Sequence, residues 1–248
     1  MDGPMRRGYD QLEASLQAII PSLGTMPKAI LVVSAHWEEA VPHVSTSAAP
    51  PMLYDYYGFP EHTYHIRYAA PGSPELAARV HDLLLAGGMD CREDSERGFD
   101  HGTFSMMQPI RPEADIPIVQ LSVLTSFDAA EHIAMGRILA PLREEGVLVL
   151  GSGLSYHNLR AFGAQGRAAS HAFDRWLRES LVGFEGNQGA RALERWMDAP
   201  AAMQAHPRPE HLLPLMVIAG SAEVDSCSVQ FHQDDFFGGL AVTSFRFG

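Results

Sequence analysis

Three continuous apolar runs constrain this chain most: Ala29–Ala35 (AILVVSA), Ile116–Val123 (IPIVQLSV) and Gly146–Gly153 (GVLVLGSG). Each is strand-sized and rich in β-branched residues, and each closes on small polar residues. That is the pattern of a strand buried on both faces of a parallel sheet. Parallel strands need crossovers, and amphipathic stretches supply them. Tyr9–Ile20 carries Leu12, Leu16, Ile19 and Ile20 at helical spacing, and Pro74–Leu85 carries Leu76, Val80, Leu83 and Leu84. Ala129–Arg143 follows Asp128 as N-cap and carries Ile133, Ile138 and Leu142. Ser170–Val182 and Ala190–Met197 read as further helices. The alternation predicts an α/β fold, a three-layer sandwich around a mostly parallel central sheet. With 248 residues, 46% of them hydrophobic, and no repeat or low-complexity tract, a single domain over 1–248 is expected. Glu38–Tyr68 breaks the pattern. It is rich in Pro, Gly, Tyr and His without periodicity, and long loops of this kind in compact domains usually carry function.

Charge and cysteine content narrow the class. Lys and Arg number 18 against 30 Asp and Glu, a net charge of −12, which argues against a nucleic-acid binder because no cationic excess meets phosphates. The two cysteines, Cys91 and Cys227, cannot build a disulfide scaffold or a thiolate-rich zinc site. The N-terminal residues lack a signal-peptide core, and no segment offers the apolar length of a membrane span. A cytoplasmic protein with no membrane or nucleic-acid partner is expected. Neither a G-x-G-x-x-G or Walker phosphate loop nor a G-x-S-x-G elbow is present.

Histidine is in excess, with twelve residues, roughly twice an average share. Ligands of open α/β sheets bind beyond the carboxyl ends of the strands. His36 directly follows the first apolar run and His157 lies just beyond the third, so the fold rule places both at one rim. His101 follows Asp100 in GFDHGTF, a sequence that reads as a turn or as a carboxylate fixing an imidazole tautomer. His211 sits in RPEHLLPL, where Glu210–His211 open an apolar helix. No helical H-E-x-x-H motif occurs, so a metal site would need distant segments. Surface positions are expected for His43, His62 and His65, and solvated ones for His81, His132, His171 and His206. His232 is expected near the surface beside an acidic pair.

The stretches AILVVSAHWE, YDYYGFPEHTY with YAAPGSPELA, RGFDHGTF with ADIPIVQLSV, VLVLGSGLSYHNLR and RPEHLLPLMVIAG, spanning Lys28 to Gly220, resemble in order and context the DODA-type extradiol ring-cleavage dioxygenases. These form part of the class III group, whose catalytic subunit is LigB-like. The resemblance implies a LigB-like fold, one mononuclear non-haem site for Fe(II) or Zn(II), and a small catecholic aromatic substrate opened with O2. It implies that His36 and His211 are metal ligands. His157 matches the acid/base histidine, sometimes counted as a further zinc ligand, and His101 a pocket histidine that contacts substrate. Tyr64 and the Asp55–Pro60 stretch match the substrate loop. The chemistry agrees: a catechol bound through both oxygens needs open metal positions, and a base that later returns its proton suits a near-neutral imidazole. Iron is expected if O2 is activated, because zinc has no redox chemistry. Homo-oligomer formation is left open.

One departure stands out. Members of that family usually begin with a strand ending in a His-Gly segment that supplies another metal histidine. Here Met1–Asp2–Gly3–Pro4 stand about where it should end, and no histidine precedes His36. A start site further upstream is the favoured expectation. The chain as written would bind iron weakly, have low or no activity, and leave the sheet short of a strand. The alternative readings are a zinc-dependent hydrolase or lyase on the same rim, and a catalytically silent member that binds aromatic ligands.

Overall fold

The computed structural model describes residues 6–183 and 187–248, so Met1–Pro4 lie outside the described residues. Its strands are β1 (Ala29–Glu39), β2 (His43–Ser45), β3 (Arg92–Asp94), β4 (Ile118–Leu124), β5 (Val147–Ser152), β6 (Cys227–Phe236) and β7 (Leu240–Phe247). Two compact units form. One comprises Leu16–Asp128 and Ile138–Ser152, the other the described residues of 1–15, Ala129–Arg137 and 153–248.

The first unit holds a sheet of order β3-β2-β4-β1-β5. The β1–β4, β1–β5 and β2–β3 pairs are parallel, and only the short β2–β4 pair is antiparallel. The mostly parallel α/β fold expected from the apolar runs is therefore present. Residues Ile30–Val33 of β1 are all 0% exposed, because both faces are covered. Ile30 and Val32 join Phe99, Phe104, Met107 and Ile118 in one core. The third run behaves differently. As the last strand of the described sheet, β5 has one neighbour, and Val147–Leu150 are only partly buried.

Helix Pro74–Ala86 starts as its sequence predicts, with Ser73 accepting from the Leu76 N–H and Pro74 in the first turn. The Tyr9–Ile20 helix is interrupted: Asp10–Gln17 is helical, and a separate turn covers Ile19–Ser22. Pro21 has no N–H to bond back to Gln17, so the first helix cannot run through it. The Ala129–Arg143 stretch likewise divides into Ala129–Leu139 and Pro141–Glu144. The loop excursion contains the short strand β2 and a 3-10 turn over Glu61–His65.

In the second unit, helix Arg167–Leu181 packs on the antiparallel hairpin β6–β7, which the sequence pattern did not reveal. Two expected solvated histidines are buried. His132 and His206 are both 0% exposed. Helix Ala129–Leu139 also buries Ala129, Ile133, Met135 and Leu139, so it has little polar face to give His132. His206 is wedged edge-on between the rings of Phe173 and Trp196.

Candidate metal and substrate site

Both units build a cluster of two imidazoles and one carboxylate: His36, Asp55 and His101 in the first, His157, Glu210 and His211 in the second. Within each cluster, potential ligand atoms lie within 4.8 Å of one another.

His36 is placed by an irregularity in β1. The register with β4 jumps between Ser34 and Glu38, so the segment carrying His36 leaves the ladder and re-aims its side chain. Arg97 holds this segment. Its Nη2 donates to the His36 carbonyl (3.1 Å) and to Asp100 Oδ2 (3.2 Å), and its guanidinium lies 4.7 Å from the centre of the Trp37 ring. Asp100 is buried and accepts from the Thr103 N–H (2.9 Å), capping helix His101–Ile110. The D-H-G sequence is thus a helix start, with His101 in the first turn. Buried Gln120 braces that start, accepting from Thr103 Oγ1 and donating to the Gly98 carbonyl. Gly102 is required by close approach: a Cβ there would sit 2.8 Å from His36 Cδ2 and 3.0 Å from Ser152 Oγ.

Asp55 bridges the two imidazoles. Its Oδ1 accepts from the His101 backbone N–H (2.9 Å) and lies 2.8 Å from His101 Nδ1, while Oδ2 lies 3.1 Å from His36 Nδ1. Burial pushes its pKa up, but hydrogen bonds from His101 and His36 outweigh that and hold it far below the usual carboxylate range. Backbone bonds between Leu53 and Phe99 and between Phe99 and Pro51 tie the loop down. Aromatic rings surround Asp55. Tyr56 meets His101 edge-on at 5.3 Å and lies tilted against Tyr64 at 5.1 Å. The hydroxyls also hold the loop: Tyr54 donates to the Ile66 carbonyl, Tyr56 to the Thr63 carbonyl, and Tyr64 accepts from the Phe59 N–H.

The second cluster is more enclosed. The strip carrying His157 is fixed by three bonds: His157 N–H to the Ala205 carbonyl (3.0 Å), Asn158 Nδ2 to the Gln204 carbonyl (2.8 Å), and His206 Nε2 to the Ser155 carbonyl (3.0 Å). His211 lies in the turn before helix Leu213–Ser221 rather than within it. The last glycine of G-S-G, Gly153, permits this turn, since a Cβ there would meet the His211 carbonyl oxygen at 2.2 Å. The His157 and His211 rings stack with centroids 3.4 Å apart and planes 16° from parallel. Glu210 Oε1 lies 3.2 Å from His157 Nδ1 and 3.1 Å from His211 Nδ1. Burial raises the Glu210 pKa, but bonds from the two histidines dominate and leave it well below the carboxylate range.

All four histidines singled out by the sequence therefore fall in these clusters, with Asp55 between two of them and Tyr64 in the ring group beside His101. Glu210, between two of these histidines, and Arg97, which holds the His36 segment, are the residues that sequence reasoning passed over. The signal for Glu210 was its place directly before His211. The side chains gathered here, imidazoles and carboxylates, are of donor types that a divalent first-row metal accepts. Glu210 Oε2, buried without a hydrogen-bond partner and with Arg208 Nη1 at 3.6 Å, adds an electron-rich atom to that set.

Comparison with known proteins gives the family. Residues 1–238 match the family described as the catalytic LigB subunit of aromatic ring-opening dioxygenase, and the chain belongs to that family. It is an oxygenase by membership. Relatives include a "4,5-DOPA dioxygenase extradiol" of Beta vulgaris, 41% identical over 89% of this chain and 83% of the relative. Another is "Dioxygenase tasH" of Hapsidospora irregularis, 38% identical over 93% of this chain and 77% of its own. The crystal structure of an uncharacterized Escherichia coli K12 protein superposes with a TM-score of 0.80 at 33% identity, covering 95% of this chain and 92% of the other. No helix among the described residues is long and apolar enough to cross a membrane.

Proposed function

We propose that the protein is an extradiol dioxygenase that opens a catecholic ring with O2, with Fe(II) as its metal. DOPA, named in several relatives, is the first catechol to test. We assign metal-ligand roles to His36 and His211, an acid/base role to His157, and substrate-side roles to His101, Tyr64 and the Asp55 loop. A bound ferrous ion would offer open positions for both catechol oxygens and for O2, and would pass electrons from the catechol, which is oxidised, to O2, which is reduced.

The stacked histidine pair is the observation that carries the reading. An imidazole lone pair lies in the plane of its ring, and a metal–nitrogen bond is about 2.1 Å long. With planes 16° from parallel and centroids 3.4 Å apart, the in-plane lone pairs of the two rings run side by side instead of converging on one point. The stack thus supports divided roles: one histidine ligates, and its neighbour is left to accept a phenolic proton and later return it. The rings of Tyr54, Tyr56, Tyr64 and Phe104 support an aromatic substrate beside His101, through edge and offset contacts. Cys91 and Cys227 are unpaired, and burial pushes their thiols up to about 11 and about 12, so both remain thiols at neutral pH.

Protein purified without oxygen, reloaded with Fe(II) and mixed with DOPA or other catechols is expected to consume O2 and form a coloured ring-fission product. The zinc-loaded protein is expected to do neither. Hydrolytic activity with zinc and no O2 uptake with iron would contradict the reading.

A further inference from the structure

We propose that Asp55 and Glu210 are positioning residues: each clamps two imidazoles by their Nδ1–H groups, so that Nε2 is the nitrogen turned toward metal or substrate. Its ligand half rests on the function proposed above. Its tautomer half rests on the clusters alone.

An ionised carboxylate only accepts hydrogen bonds, and a neutral imidazole carries a single ring proton. A ring nitrogen facing a carboxylate oxygen therefore carries that proton, and the lone pair goes to the other nitrogen. Four Nδ1 atoms face carboxylate oxygens in this way. His101 and His36 face Asp55 at 2.8 and 3.1 Å, and His211 and His157 face Glu210 at 3.1 and 3.2 Å. The clamps also fix ring direction, because each carboxylate is itself held. Asp55 is anchored by the His101 backbone N–H. Glu210 has a side chain only 8% exposed, with Arg208 at its second oxygen. Its Oε1 is hydrogen-bonded to His211 Nδ1 and also lies 3.2 Å from His157 Nδ1, so one atom stands against both rings. A carboxylate behind an imidazole commonly sets the ligand nitrogen of metal sites and raises its basicity. The arrangement in which Nδ1 and the carboxylate bind the ion together would require the opposite tautomer, with the proton on Nε2.

The test uses the 248-residue, metal-free protein with 15N-labelled histidine at about pH 8.5, where an ordinary imidazole is neutral. Two-bond 1H–15N spectra distinguish the tautomers. His36, His101, His157 and His211 are expected as Nδ1–H forms. Glu210→Gln places an amide donor by the stacked rings and is expected to move His157 and His211 toward Nε2–H. Zinc affinity, read by chelator competition, should fall about tenfold to a hundredfold. Asp55→Asn is expected to act likewise on His36 and His101. Nε2–H forms in the unmodified protein would overturn the proposal, and that spectrum decides even if a variant fails to fold. Unchanged tautomers and zinc affinity in folded variants would overturn it too. Nδ1–H histidines with tight zinc binding, but no O2 uptake by the iron form, would refute the dioxygenase reading and leave the clamps standing.

Discussion

The two histidine–carboxylate clusters use the same donor types and differ in how they are held. Around Asp55 the side chains of His36, Asp55 and His101 are 20%, 19% and 34% exposed, and the two rings meet at 73°. Around Glu210 the side chains of His157, Glu210 and His211 are 17%, 8% and 10% exposed, and the rings stack. The first carboxylate arrives on an irregular loop, far in sequence from either imidazole. The second directly precedes one of its partners in a turn that a glycine allows. Under the roles proposed above, the difference is a division of labour: an adaptable cluster among aromatic rings to receive substrate, and a rigid one to keep a metal ligand and a proton carrier apart.

The sharpest way to break this contrast is through the two glycines. Gly153→Ala drives a Cβ into the His211 backbone carbonyl, which has nowhere to yield, and is expected to cost ~3 kcal/mol or more in denaturant unfolding. Gly102→Ala presses mainly on a side chain, the His36 ring, and should cost less stability. Equal losses would mean that the two clusters are equally rigid.

Beneath the rigid cluster, His206 offers the next largest effect. Burial is the main cause that pulls its pKa down to about 4, with the nearby His157 and His211 adding to it and Glu210 opposing. The unfolded chain, with an ordinary histidine near 6.5, binds more protons between those values. Stability should therefore fall as pH drops from about 6.5 to about 4, by up to ~3 kcal/mol from this group. Unfolding curves across that window, with His206→Phe showing a shallower slope, check it. An identical slope would place the pH sensitivity elsewhere.

Removing a carboxylate compares the clusters most directly. Glu210→Ala leaves two enclosed imidazole N–H groups without an acceptor and is expected to cost ~1–3 kcal/mol. Asp55→Ala, whose partners reach solvent more easily, should cost about 1 kcal/mol or less. The reverse order, by thermal or denaturant unfolding, would invert the contrast.

Much of the fold was legible in the sequence because strands and rims follow from pattern. The β-branched runs mark β1, β4 and β5, and the rim rule points at His36 and His157. Pairing was not legible. Asp100 beside His101 and Glu210 beside His211 look alike as dipeptides. Asp100 turns inward to cap a helix and pair with Arg97, while Glu210 turns to the imidazoles. The carboxylate serving His101 instead comes from Asp55, which only the loop's tertiary path brings there. His132 and His206 read as solvated because short helical patterns do not reveal which faces later packing will cover. Hairpin β6–β7 escaped because β6 mixes Gln, His and Asp into an alternation with little apolar contrast.

The most direct measurement is the metal content and O2 uptake of His157→Ala and His211→Ala, each reloaded with Fe(II). The account predicts that His157→Ala keeps a full equivalent of iron and loses turnover with a catechol, whereas His211→Ala loses the iron itself. Loss of iron from His157→Ala, or full iron in His211→Ala, would contradict the division of roles read from the stacked pair.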